Sequence, residues 1–201
     1  MEALITEIIP KQGFELVEDR ILLILLLNLQ KQRELQPEIP EFVAFMERRT
    51  PIDKHENVMI NVLFDNANYS GFTEGTAEGT TIYYIDVYAN GVSSNDEPGY
   101  LNSGLKVQRF LGMIRYILQS TKYSTLDFPR GFIGGTSLRN IQVFDPSNNQ
   151  DGMYMSQARM SFGVRINEEQ EFWKGADLAG ADTELKLELT ENGYKYTLNN
   201  I

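Results

Sequence analysis

The chain has 201 residues, 28 acidic against 18 basic, a formal charge of -10, 42% hydrophobic side chains and no cysteine. One core at this length buries roughly 70% of the surface its unfolded chain exposes, so a single domain with at most an appendage is expected, without a disulfide or metal staple. The lack of cysteine excludes thiolate catalysis, zinc-thiolate sites and iron-sulfur clusters and permits a reducing compartment, while the acidic balance disfavours tight binding to phosphate backbones or anionic lipid.

The most apolar stretch, Ile21 to Leu27 with Leu29, is bracketed by Glu18, Asp19 and Arg20 and by Lys31 and Arg33. It is far short of the roughly 20 residues that span a bilayer. The N-terminus has no basic n-region ahead of an apolar run, so synthesis in the cytosol is expected. Phe14, Leu16, Val17, Ile21, Leu22, Ile24, Leu25 and Leu29 make a stripe too broad for a surface helix with one neighbour. They predict a buried helix from about Phe14 to Lys31. Pro37 and Pro40 break the chain, and Phe42 to Arg49 fits a strand and a short helix equally.

Val58, Ile60, Val62 and Phe64 alternate with Asn61 and Asp65, and Ile82 to Tyr88 forms a second run rich in β-branched and aromatic side chains, predicting two consecutive strands. Between them Asn66 to Gly79, with Gly71, Gly75 and Gly79, is too long for a tight turn and too polar for burial, so it is expected to project as an arm or flexible loop. Leu101, Leu105, Leu111, Ile114 and Leu118 recur at helical spacing through Ser120. Arg109 and Arg115 fall on or beside the polar face of this second helix, and Gly112 is expected to mark a close backbone approach. Leu138 to Phe144 and Tyr154 to Ile166 predict two more strands, joined by the polar turn Asp145 to Gly152. From Glu168 the composition becomes linker-like around Trp173. Leu185, Leu187 and Leu189, then Asn192-Gly193, then Tyr194, Tyr196 and Leu198 predict a terminal hairpin. A lone hairpin is marginal in water, so it is expected to extend a sheet or dock on a partner. The reading is an α+β fold of order α-β-β-α-β-β, a mostly antiparallel sheet against two long helices, over residues 1-167, with 168-201 as linker and β-hairpin.

The search for chemistry returns little. His55 lies in a charged turn between Asp53 and Glu56 with no positioned nucleophile, and reads as a solvated loop residue. Gly131 to Ser137 carries glycines and hydroxyls but lacks the lysine of a phosphate-binding loop, and a strand follows it. A calcium loop with Gly152 sixth must start at Ser147, and its twelfth position is then Ala158, which cannot ligate. Asp65 and Asp86 could be offered as a hydrolytic pair, although nothing in the sequence brings them into a cleft. No cofactor or metal is expected. A well-cored domain with a protruding segment and an extra hairpin is most simply a part that binds other protein chains.

The run Glu47-Arg48-Arg49-Thr50-Pro51-Ile52-Asp53-Lys54, then Val58-Met59-Ile60-Asn61-Val62 and Tyr84-Ile85-Asp86-Val87-Tyr88, resembles the tail terminator (tail completion) proteins of long-tailed bacteriophages of the Bacteroidetes type, as does the element order from Phe14 to Ile166. The resemblance implies a non-catalytic virion protein whose copies, six in that family, form a ring at the head-proximal end of the tail. Such a ring ends tail-tube polymerisation and joins the tail to the head connector. Its implied partners are itself, the tail tube protein, connector or neck proteins, and DNA only as passing cargo, with no membrane. An acidic lumen suits that cargo, because attractive phosphate contacts would act as brakes. Tyr69, Phe72, Glu74 and Glu78 on the arm, and Tyr194 and Tyr196 on the hairpin, are the expected partner-binding residues. Alternatives are a neck component of the same particle, a peptide-binding adaptor that uses the terminal hairpin, and a small hydrolase or ligand-binding protein with an acidic site.

Overall fold

The computed structural model describes residues 8-48, 53, 55-73, 76-93, 98-148, 153-169, 181-185 and 194-198, with the backbone alone at 70-73, 76-78, 146-148, 168-169 and in the last two segments. The chain divides into two compact units, 1-169 and 170-201.

The first unit is α+β. Helix α1 (Gly13–Leu35) is followed by β1 (Phe42–Met46), β2 (Val58–Thr73), β3 (Thr76–Val92), α2 (Gly99–Leu118), β4 (Ile133–Asn148) and β5 (Met153–Glu169). The five strands form one sheet in the order β1-β2-β3-β5-β4. Every pairing is antiparallel except β1 with β2, which is parallel. The ambiguous segment after Pro40 is therefore a strand, short and at one rim of the sheet, while β4 forms the other rim.

Strand alternation places one side-chain set on each face. Val58, Ile60 and Val62, then Tyr83, Ile85 and Val87, then Ala158, Met160, Phe162 and Val164 all lie within 1% of complete burial. They meet Val17, Ile21, Leu25 and Leu29 of α1 and Val107, Phe110, Ile114 and Leu118 of α2 in one core. Helix α1 covers β1 and β2, while α2 covers β3 and β5. The Tyr83 hydroxyl donates to the Phe14 carbonyl at 2.8 Å and ties α1 to the middle of the sheet. At the start of α1 the Glu15 carboxylate accepts the Gln12 backbone N–H at 2.8 Å, satisfying a donor that the helix leaves open. After α2, Leu126 and Asp127 take positive φ of 51° and 60° in succession. That unfavoured backbone delivers Leu126 into the core, where it is fully buried.

Four expectations need correction. The segment from Asn66 to Gly79 is no loop: the β2–β3 ladder continues through Asn68↔Thr80 and Tyr69↔Gly79 to Thr73↔Thr76. The β5 strand pairs alongside it as far as Thr76↔Glu169. Its described residues are paired strand, because backbone pairing needs no apolar face and its threonines suit extended chain. Helix α1 runs four residues past Lys31 and is buried on its inner face only. Leu101 and Leu105, placed in the core stripe of α2 by their spacing, are 44% and 54% exposed, and the true stripe is Val107, Phe110, Leu111, Ile114 and Leu118. A methyl at Gly112 would meet nothing within 4 Å, so that glycine marks no close approach. The close approach is at Gly91 in β3 and Gly99 at the start of α2: a methyl at Gly91 would lie 2.2 Å from the Gly99 carbonyl oxygen and 2.8 Å from the Ser103 nitrogen. Beside it the Ser103 and Ser156 hydroxyls share a buried hydrogen bond of 2.8 Å.

Strand β4 carries three interruptions of register against β5, between Ile133 and Gly135, Leu138 and Asn140, and Phe144 and Ser147. In the second unit β6 (Ala181–Leu185) pairs antiparallel with β7 (Tyr194–Leu198). The first strand of this hairpin thus lies earlier than the Leu185 to Leu189 run; Leu187, Leu189, Asn192-Gly193 and Trp173 lie outside the described residues.

Candidate functional site

The expected partner-binding residues fall in different places. Tyr69 stands on the β2–β3 arm, 52% exposed, with its ring laid against Gly79 across the ladder. An aromatic side chain covering a cross-strand glycine makes up for the packing that the glycine lacks. Phe72 and Glu78 are in β2 and β3, and Tyr194 and Tyr196 in β7, each described by backbone only; Glu74 lies outside the described residues. Tyr194 and Tyr196 belong to the second compact unit.

Two apolar surfaces that were not foreseen stand out. On α1, Leu16, Leu23 and Leu27 are 37%, 44% and 56% exposed. At spacings of seven and four they share the face away from the core. On α2 and β4, Tyr100, Leu101, Leu105 and Val143 are 51%, 44%, 54% and 59% exposed and border a groove of about 240 Å³. Tyr100 is held there by an edge-on ring contact with Tyr154 at 6.0 Å. The signal was present in the sequence: α1 has more leucines than one helix face can bury, and α2 carries two apolar stripes where the core needs one.

Asp65 and Asp86, offered as a hydrolytic pair, each contact other side chains on the polar face of the sheet. Asp86 is fully buried and accepts two hydrogen bonds from the Arg159 guanidinium, at 2.7 and 2.8 Å. The guanidinium lies over the Tyr84 ring at 4.4 Å, and the Tyr88 hydroxyl donates to Asp86 at 3.2 Å. Burial, with the Asp86 charge beside it, pushes the Tyr88 phenol up to about 12. A hydrogen bond to Asp65 also raises the Tyr84 phenol. Both aspartates are therefore engaged in a structural network. His55 is exposed, and among the described residues no group of three His, Asp or Glu side chains is placed to hold a metal. Among them also, no helix is long and apolar enough to cross a membrane.

One carboxyl is perturbed. Glu18 of α1 is half-buried with Oε1 unpartnered, facing Glu47, whose carboxylate accepts the Phe64 N–H at 2.8 Å. Burial and the Glu47 and Asp19 charges push Glu18 up from 4.5 to about 7, against smaller opposing effects of the Phe64 N–H and Lys11. A raised folded-state value means that the folded chain holds this proton more tightly than the unfolded chain. The stabilisation is complete below about pH 4.5 and is lost as pH rises through about 7. After allowance for solvent screening, stability should fall by about 1 kcal/mol between pH 5 and 8 from this group. Glu18→Gln should remove that fall, which urea denaturation at the two pH values measures.

Compared with protein-family models and with curated proteins, the chain matches none.

Proposed function

We propose that this chain is a ring-forming structural protein of a phage or phage-derived tail, sited at the head-proximal end, where it ends tube growth and joins the tail to the connector. The observation that carries the reading is the presence of two unlike apolar surfaces on one chain. The leucines of α1 sit over the β1–β2 half of the sheet, and the Tyr100, Leu101, Leu105 and Val143 patch belongs to the α2–β4 half. Contact between unlike surfaces is heterologous, and a heterologous contact whose rotation closes makes a ring. Two further features favour it. The charge of -10 suits a lumen through which DNA slides, and the two carboxylates that might have served hydrolysis are tied up in ion-pair and phenol contacts. The partners are then other copies of the chain, the tail tube protein and the connector or neck proteins, with DNA as passing cargo. A neck ring would use the same self-contacts and differs in failing to cap tubes.

Light scattering and negative-stain imaging, with and without tail tubes, test this: closed rings or capped tubes are expected. A strict monomer that leaves tube length unchanged would overturn it. The heterologous contact makes a sharper prediction. Leu23→Glu and Leu105→Glu should each abolish rings while leaving the fold intact, because both side chains are solvent-exposed. Mixing the two variants should give one-to-one dimers and nothing larger, since only the intact groove of the first can meet the intact stripe of the second. An isologous contact would give no such rescue.

A further inference from the structure

We infer that the contact between copies is an antiparallel helix pair, with α2 of one copy lying along α1 of the next and Leu105 opposite Leu23. The inference rests on the ring reading above and adds its orientation and register. On α2 the residues Leu101, Leu105, Arg109, Gly112 and Tyr116 are exposed and lie three or four apart, so they share one face. On α1 the exposed Leu16, Leu23 and Leu27 share a face with Asp19, whose side chain is 38% exposed. Pairing the helices antiparallel at Leu105 and Leu23 brings Leu101 opposite Leu27, Arg109 opposite Asp19 and Gly112 opposite Leu16. Each match is complementary: two leucine pairs, a cation against an anion, and a large side chain over a residue that has none. The parallel alternative that keeps two leucine pairs, Leu101 on Leu23 and Leu105 on Leu27, carries Arg109 to Lys31, a like charge.

Two features of the single chain favour an occupant of this kind. Glycine disfavours a helix interior, yet a methyl at Gly112 would meet nothing within 4 Å, so no contact inside the chain calls for it. Gly112 instead borders an open hollow of about 600 Å³ with Arg115, Tyr116 and Gln119, which a leucine from a second helix can enter. The other feature is charge. From Gly99 to Leu126 the chain carries Lys106, Arg109, Arg115 and Lys122 and no acid, whereas the whole chain has 28 acids against 18 bases. The outer face of α2 is therefore complementary to the rest of another copy. Arg109 donates to the Gln36 Oε1 at 2.6 Å, a neutral acceptor, and among the described residues it has no carboxylate partner. Asp19 is paired with Lys11, but both side chains are solvent-exposed, and a surface pair of that kind is readily exchanged.

The chain has no cysteine, so introduced thiols report the register directly. Mixed under oxidising conditions, the Leu23→Cys and Leu105→Cys variants should link to each other, as should Leu27→Cys and Leu101→Cys. Both pairs should link about tenfold faster than Leu23→Cys with Leu101→Cys, whose positions the antiparallel register holds apart. Arg109→Asp and Asp19→Arg should each weaken self-association about tenfold in analytical ultracentrifugation, and the two together in one chain should restore it. Gly112→Leu should weaken association while its thermal midpoint stays at or above that of the parent chain, a split that a purely structural glycine would not produce. Fastest linking between Leu23→Cys and Leu101→Cys, or no rescue by the exchanged charges, would overturn this register and leave the ring reading standing. A parent chain that never associates, with or without tail tubes, would overturn both.

Discussion

Arg159→Met is expected to lower the unfolding free energy by about 3 kcal/mol, the low end of the range for stripping one partner from a buried ion pair, since the Arg159 side chain is 34% exposed while Asp86 is fully buried. The reason lies with the residue left behind. Asp86 is fully buried, and its two closest donors are the Arg159 Nε and Nη2. Without them its charge keeps only the longer hydrogen bond from Tyr88. Methionine restores the aliphatic bulk over Tyr84, so the loss reports the charge more than the packing. The double change Asp86→Asn with Arg159→Gln should cost less than Arg159→Met alone, since two amides leave no buried charge. Urea denaturation of the three proteins measures both statements, and a loss below about 1 kcal/mol for Arg159→Met would contradict the first.

Gly91→Ala should have an effect of similar size, about 3 kcal/mol, the upper part of the usual range for overpacking. Its methyl would collide with two backbone atoms, the Gly99 carbonyl oxygen and the Ser103 nitrogen, and neither can swing aside as a side-chain tip could. Relief requires α2 to lift from β3, which also strains the Ser103–Ser156 hydrogen bond. For a chain of this size the expected fall in Tm is roughly 6–12 °C. Gly112→Ala is the matched contrast, with an exposed helical glycine and open space around the new methyl. It should stabilise by about 1 kcal/mol, and equal effects at the two glycines would contradict the assignment of the close approach.

These glycines also show where the sequence is legible. Strand β5 was readable residue by residue, because Ala158, Met160, Phe162 and Val164 alternate with Arg159, Ser161 and Gly163. The distal part of β2 and β3 was not, because Asn66 to Gly79 offers no apolar period on either face and is held by backbone pairing. Strand β1 has five residues in a parallel pairing with a strand that begins twelve residues after it ends, so no local turn signal announces it. In α2 the sequence offers two apolar stripes, and the core is chosen only when Phe110 meets Phe42 and Ile114 meets the sheet. Gly112 attracted notice because it interrupts a helix, whereas the constrained Gly91 sits among ordinary strand residues.

The three interruptions along β4 bear on behaviour at high concentration. On the proposed ring contact the chain meets its own copies through helical surfaces, while the open rim of the sheet could template another strand. Extra residues at three points along that rim bend its hydrogen-bonding groups out of line, so an incoming strand finds no long straight run to zip against. Edge-to-edge pairing that would seed fibrils is thereby disfavoured.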